Sequence, residues 1–345
     1  MKKRDDKNIL RKIMAIRGMG QVITVAFGLV VLCIVFGILN PVFFSNRNIA
    51  NLLRQIAPIL IIGIGQSYVL ITGNIDLSIG SVVGMSCMVS ATMMTKGVNP
   101  WVAVLITYIC CLAIGIINGQ LVANCKLPPF IATLGTMTIA RGIAQIVNNN
   151  YNTDSIGAAA KGFRDFFYYG KNFGVFNTIW IAAVLWIIFN FILNKTRTGR
   201  YIYAIGSNIE AARLSGVNIA HITTTAYVVS SFCSCTVGLI TCAISGMGTM
   251  DAGNGYEMYA VAASVIGGVS TLGGQGILLG TVIGASIWGV LQNGLQFAGA
   301  PVAIRNIAIG VIVVVSVLLD VIIRKGRPIR KKKNITTVNK AEIKA

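Results

Sequence analysis

Apolar runs of about 20 residues recur along this chain, long enough as helices to cross about 30 Å of hydrocarbon. In such a layer every backbone N–H and C=O must be satisfied from within, so only helices or a closed barrel span it. The runs are continuous rather than alternating, which argues against a barrel. An all-α integral membrane protein is therefore expected. Composition agrees: 55% of the residues are hydrophobic and 11% charged, against about 25% charged in soluble domains.

About ten transmembrane helices are expected, at roughly 20–39, 57–72, 79–95, 101–123, 130–147, 176–194, 222–244, 257–270, 277–297 and 302–323. A polar amphipathic piece, SNRNIANLLRQ (45–55), is read as separate from the second span. The first apolar stretch is too long for a signal-peptide core and no A-x-A site follows, so it reads as an uncleaved span.

Charge tests the topology. The net charge of +19 is concentrated: residues 1–17 hold seven Lys/Arg, 195–221 hold four, and 324–345 hold nine. With the basic N-terminus inside, ten spans put all three blocks on the cytoplasmic side, where Lys/Arg accumulate. The chain then divides, within one membrane domain of 1–345, into a basic cytoplasmic tail (1–19), an external loop (148–175), a cytoplasmic loop (195–221) and a second basic tail (324–345). Both termini are expected in the cytoplasm. The basic blocks face anionic lipid headgroups. No aromatic interleaving or fold signature points to nucleic acid.

Two Gly-containing breaks interrupt the apolar sequence: GNIDLSIG (73–80) and GGVSTLGGQG (267–276). Non-helical backbone at membrane depth is tolerated only against protein or a water-filled cavity, and paired interruptions point to a transport pathway. Asn74, Asp76, Ser78, Gly267, Gly268, Ser270, Gly273 and Gly274 are thus candidates for a translocation path or gate, with a plain turn between spans as the alternative. A carboxylate at that depth is a functional candidate, yet Asp76 and Ser78 also stand where a helix starts, as caps do. Arg141, Glu257, Arg305 and Asp320 lie near span ends, where snorkelling accounts for them. Tyr151, Phe163, Phe166, Phe167, Tyr168 and Tyr169 on the external loop read as belt anchors or as a docking surface for an external protein.

Catalytic constellations are absent. The nearest approach to a phosphate loop, GGQGILLGT, lacks its lysine, so any ATP hydrolysis belongs to a separate chain. Eight cysteines without a C-x-x-C pair, and one histidine, argue against a zinc or disulfide framework.

Residues 206–219, GSNIEAARLSGVNI, place a short polar helix between two spans. Asn208 can cap it, Glu210, Ala211, Ala212, Leu214 and Ser215 continue it, and Gly216 can end it in the left-handed conformation. From Gly206 to Gly216 this is a surface that a partner could push, or else an interfacial helix lying on lipid.

The run NKTRTGRYIYAIGSNIEAARLSGVNI resembles the cytoplasmic coupling loop of bacterial ABC monosaccharide-importer permeases, the ribose and galactose group. GQSYVLITGNIDLSIGSVVG, PPFIATLGTMTIARG (128–142) and YEMYAVAASVIGGVSTLGGQGILLGTVIGA (256–285) resemble that family too, and the likeness extends from about 20 to 323. Asn74 stands where many relatives have glycine. The resemblance implies a type II-like, cobalamin-importer-like permease fold in the bacterial cytoplasmic membrane. It implies a second permease subunit, a homodimer being favoured. A cytoplasmic ATPase, often two fused nucleotide-binding halves, would dock on Asn208–Gly216 and hold ATP and Mg, this chain binding no cofactor. An external binding protein would deliver the sugar, a ribose-like one. Galactose, inositol, nucleosides, branched-chain amino acids or a furanosyl signal are alternative cargoes. An ion-coupled carrier would need paired carboxylates in the spans, and Asp76 stands almost alone.

Overall fold

The computed structural model describes residues 19–325. Thirteen helices, α1 to α13, follow in order: Met19–Leu39, Asn46–Ile71, Ile79–Thr95, Pro100–Ala123, Pro129–Ile146, Lys161–Arg164, Asn177–Lys195, Arg197–Ser207, Ile209–Leu214, Ile219–Ser245, Tyr256–Ile266, Leu278–Phe297 and Val302–Lys325. A two-residue hairpin, β1 (Lys171–Asn172) against β2 (Val175–Phe176), precedes α7. The basic tails expected at 1–19 and 324–345 lie outside the described residues, apart from Met19, Arg324 and Lys325.

Each expected span falls on one helix. Among the described residues six are long and apolar enough to cross a membrane: α2, α4, α7, α10, α12 and the Val22–Leu39 part of α1. Both α3 and α11 are apolar but short. Irregular backbone stands next to each, at 73–78 before α3 and at 246–255 before α11. The second of these stretches is not evident in the sequence. One expectation needs correction: SNRNIANLLRQ is not a separate piece but the cap and first turns of α2. Ser45 caps that helix by accepting from the Asn48 N–H, and the helix continues through Pro58.

Helices α2 and α10 form the centre. Tyr68 and Tyr227, one from each, are fully buried. Their hydroxyls donate to Phe189 O (2.6 Å) and Ile75 O (3.1 Å), so neither ring leaves a polar end unpaired. A second tie joins α2 to α11 and α12. There the hydroxyls of Ser67, Ser264 and Thr281 cluster, with Ser67 Oγ 3.1 Å from Ser264 Oγ and 2.9 Å from Thr281 Oγ1. Hydroxyl bonds of this kind hold helices together where lipid removes the hydrophobic drive to associate. Helix α1 packs on α12 at the rim and is mostly uncovered.

The 148–175 segment folds over one end. The Arg54 guanidinium sits 3.9 Å from the ring centroids of both Tyr168 and Phe176, a cation held between two π faces. Phe163 and Phe167 are buried here, so they are core rather than belt, whereas Phe173 at the hairpin tip is 97% exposed.

Candidate functional site

The loop at 195–221 is two helices. Thr196 Oγ1 accepts from Gly199 N–H (3.3 Å) to start α8, a helix the capping residues of the second one do not reveal. Asn208 then ends α8 and caps α9, its Oδ1 accepting from Ala211 N–H at 2.9 Å. At the far end Gly216 takes φ +79°, and its N–H donates to Arg213 O (3.0 Å). Ser215 Oγ donates to Ala211 O (2.8 Å). Ala212 is buried against the bundle, while Leu214 is 89% exposed. Glu210 pairs with Arg213 at 2.9 Å, but both side chains are more than half exposed, so the pair is worth at most about 1 kcal/mol.

The last turn of α8 touches both glycine breaks. Gly206 packs so closely on Ile71 O and Gly274 N that a Cβ would collide with each. Gly274 N–H donates to Ile71 O (2.8 Å). At Gly273, φ +85°, a Cβ would lie 2.8 Å from Gly73 Cα and 2.9 Å from Gly206 O. Tyr203 OH adds a side-chain tie to Gly276 O (2.7 Å). Three segments far apart in sequence thus meet backbone to backbone, and only glycine permits the approach.

Not all the residues expected at the breaks belong to this junction. Gly267 ends α11 and packs on the backbone of Gly280 in α12. Gly268 makes the turn, with φ +87°. Ser270 closes the loop: its N–H donates to Gln275 O (2.9 Å) and its Oγ accepts from Leu272 N–H (3.1 Å). Asn74 donates to Thr72 Oγ1 (2.8 Å) within the first break. Beside α9, Asn74, Lys126, Gly206, Ser207, Asn208 and Arg213 line part of a cavity of about 780 Å³.

Asp76 is buried, and its carboxylate is fully used. Oδ1 accepts from Ser78 N–H (2.9 Å) and Ser78 Oγ (2.6 Å), and Oδ2 accepts from Ser230 Oγ of α10 (2.7 Å). The chain goes on through Asn118 Nδ2 donating to Ser78 Oγ (3.0 Å) and Thr136 Oγ1 donating to Asn118 Oδ1 (2.6 Å). The first break is thereby moored to α10, α4 and α5. Asp76 does hold the backbone at the start of α3, as a capping residue would. Ser78 does not cap, because its hydroxyl is committed to Asp76.

Comparison with known proteins places this geometry in context. The family model described as branched-chain amino acid transport system / permease component matches residues 48–317. A ribose import permease of Bacillus subtilis is 36% identical over 296 residues, covering 85% of this chain and 90% of the relative. The D-allose transport system permease of Escherichia coli is 33% identical over 304 residues, covering 87% and 91%. A fructose import permease of Rhizobium meliloti is 32% identical over 333 residues, covering 93% and 91%. No solved structure matches the chain.

Proposed function

Because this chain belongs to the branched-chain amino acid transport system / permease component family, with sugar permeases among its relatives, we propose that it carries ribose across the bacterial cytoplasmic membrane as one subunit of an ATP-driven importer. It is a multi-pass transport subunit and not an enzyme. An ATPase and a substrate-binding protein are implied in general terms by the same membership.

Ten spans form a type II-like fold with both termini in the cytoplasm, and two copies pair around a central path. A fused double ATPase holds ATP and Mg and docks on α9. A binding protein presents the sugar at the 148–175 face. Closure of the ATPase pushes α9, and the two permease copies rock to expose the path alternately to each side.

The observation that carries this mechanism is the glycine junction. Gly206, in the last turn of α8 and two positions before the cap of α9, is locked onto both breaks. A push on α9 therefore reaches the end of α2 and the loop that follows α11 without passing through flexible side chains. Asp76 is engaged by three donor groups, so it is not the free carboxylate that an ion-coupled carrier would need.

Leu214 supplies the test. A leucine 89% exposed on a capped helix is placed to enter an apolar pocket on the ATPase. Leu214→Asp is expected to reduce co-purified ATPase by about tenfold or more, as loss of a buried interface anchor does, with unchanged permease in the membrane. Wild-type co-purification and uptake in that variant would refute docking on α9.

A further inference from the structure

Phe173, at the tip of the β1–β2 hairpin, is the most exposed large apolar side chain among the described residues, at 97%. Its backbone is in a conformation that phenylalanine seldom adopts. The two residues that turn the chain, Phe173 and Gly174, both have positive φ, +53° and +78°. A two-residue hairpin turn of that hand ordinarily takes Asn, Asp or Gly at its first position, and a bulky residue there is strained. Among the described residues nothing covers the ring, so internal packing does not offset the strain. Strain kept on an exposed residue points to a contact outside the chain.

The hairpin is firmly mounted on α7. Its strands pair Lys171 with Phe176 and Asn172 with Val175. Asn177, the first residue of α7, makes three ties at the base. Its N–H donates to Gly170 O (2.9 Å), its Nδ2 donates to Asp165 O (2.9 Å), and its Oδ1 accepts from Asn172 Nδ2 (2.7 Å). The Trp180 indole N–H, one turn into α7, donates to Asn172 O (3.2 Å). The residue that precedes Phe173 is therefore fixed to the start of a helix long and apolar enough to cross a membrane.

The same bond sets the side and the level. Trp180 is exposed and opens a bare face that runs along α7 through Val184, Ile187 and Phe191, also exposed. Their spacing keeps them on one side of the helix, and on a helix that crosses a bilayer such a face meets acyl chains. Trp101, exposed near the start of α4, sets its ring edge-on to Phe166 of the same 148–175 segment, with centroids 5.3 Å apart. Tryptophan concentrates where hydrocarbon meets headgroups, so the two indoles mark that boundary and the hairpin sits on it. Lys171, exposed beside the tip, brings a cation that lipid phosphates accept.

We propose that the 171–176 hairpin is a lipid anchor, with the Phe173 ring seated between the headgroups and acyl chains of the bilayer. The strained turn holds the ring at the head of the lipid-facing stripe of α7. One end of α7 is thereby kept at a fixed depth while the other leads into α8. The rest of the 148–175 segment stays open to an external protein.

Photo-crosslinking tests this. A benzophenone-bearing phenylalanine is incorporated in place of Phe173 or, as the reference within the stripe, in place of Ile187. The permease is irradiated in cells whose phospholipids carry tritiated acyl chains, then purified and read for tritium and for shifted bands on denaturing gels. A group added to a side chain 97% exposed displaces no packing, so the fold is kept. Burial of an apolar ring favours the inserted position by about tenfold or more, so the label at position 173 is expected to approach that at position 187, without a shifted band. Label at the level of an unirradiated sample would mean a solvated tip and overturn the anchor. A band shifted by the mass of a second protein, in place of lipid label, would overturn it in favour of a protein contact.

Discussion

Gly206→Ala is expected to cut ATP-driven uptake by about tenfold or more while leaving the ATPase bound. The added methyl meets Ile71 O and Gly274 N, which are backbone atoms on either side of a 2.8 Å hydrogen bond. No rotamer change relieves that collision, so the junction must open, at a cost in the range of about 1–3 kcal/mol typical of overpacking. Leu214 and the exposed face of α9 are untouched, so docking persists while the push no longer reaches the breaks. Gly216→Ala is the control. No atom lies within 4 Å of its Cβ position, and the strain comes from φ +79° alone, about 1–2 kcal/mol at the end of α9. Uptake measured beside co-purified ATPase distinguishes the two variants. Equal, mild effects would mean that the junction is packing and does not transmit.

Asp76→Ala is the second large effect, and it falls on stability. Removing the carboxylate leaves Ser78 N–H, Ser78 Oγ and Ser230 Oγ without their acceptor in a buried site. Each orphaned group costs about 1–3 kcal/mol, not additively. The mooring of the first break to α10 is lost as well. Thermal denaturation of the detergent-solubilised protein, followed by size-exclusion chromatography, is expected to show the variant losing its folded peak well below the wild type. Asp76→Asn keeps an oxygen for Ser78, and its amide can donate to Ser230 once that hydroxyl turns, so it should be far milder. An alanine variant as heat-resistant as the wild type would show that the network contributes nothing to the fold.

The apolar runs located helices, six of which among the described residues are long and apolar enough to cross a membrane, and Asn208 and Gly216 announced α9 by their capping chemistry. Other features were not readable. SNRNIANLLRQ looked separate because its polar residues broke the apolar run, although a helix end at a membrane surface tolerates them. The signal for α8 was present in RTGRYIYAIGS: Ile202 and Ile205 are three apart and both buried, a helical spacing. Gly206 gave no local sign of its role, since its contacts with Ile71 and Gly274 are long-range and nothing in a single sequence pairs them. Arg141 and Glu257 read as snorkelling span-end residues, yet Arg141 Nη1 donates to Met250 O and Ala252 O and the Glu257 carboxylate packs on Gly80. Those contacts depend on the fit of 246–255 against Gly80 and Gly84 of α3, whose importance is steric and tertiary.

In the proposed mechanism ATP, acting through α9, drives this permease. Its most direct test is gene-dependent initial uptake of labelled ribose in cells whose proton gradient has been collapsed while ATP is maintained. The rate is predicted to persist at close to its value in energised cells. Uptake that stops when the gradient does would contradict ATP coupling.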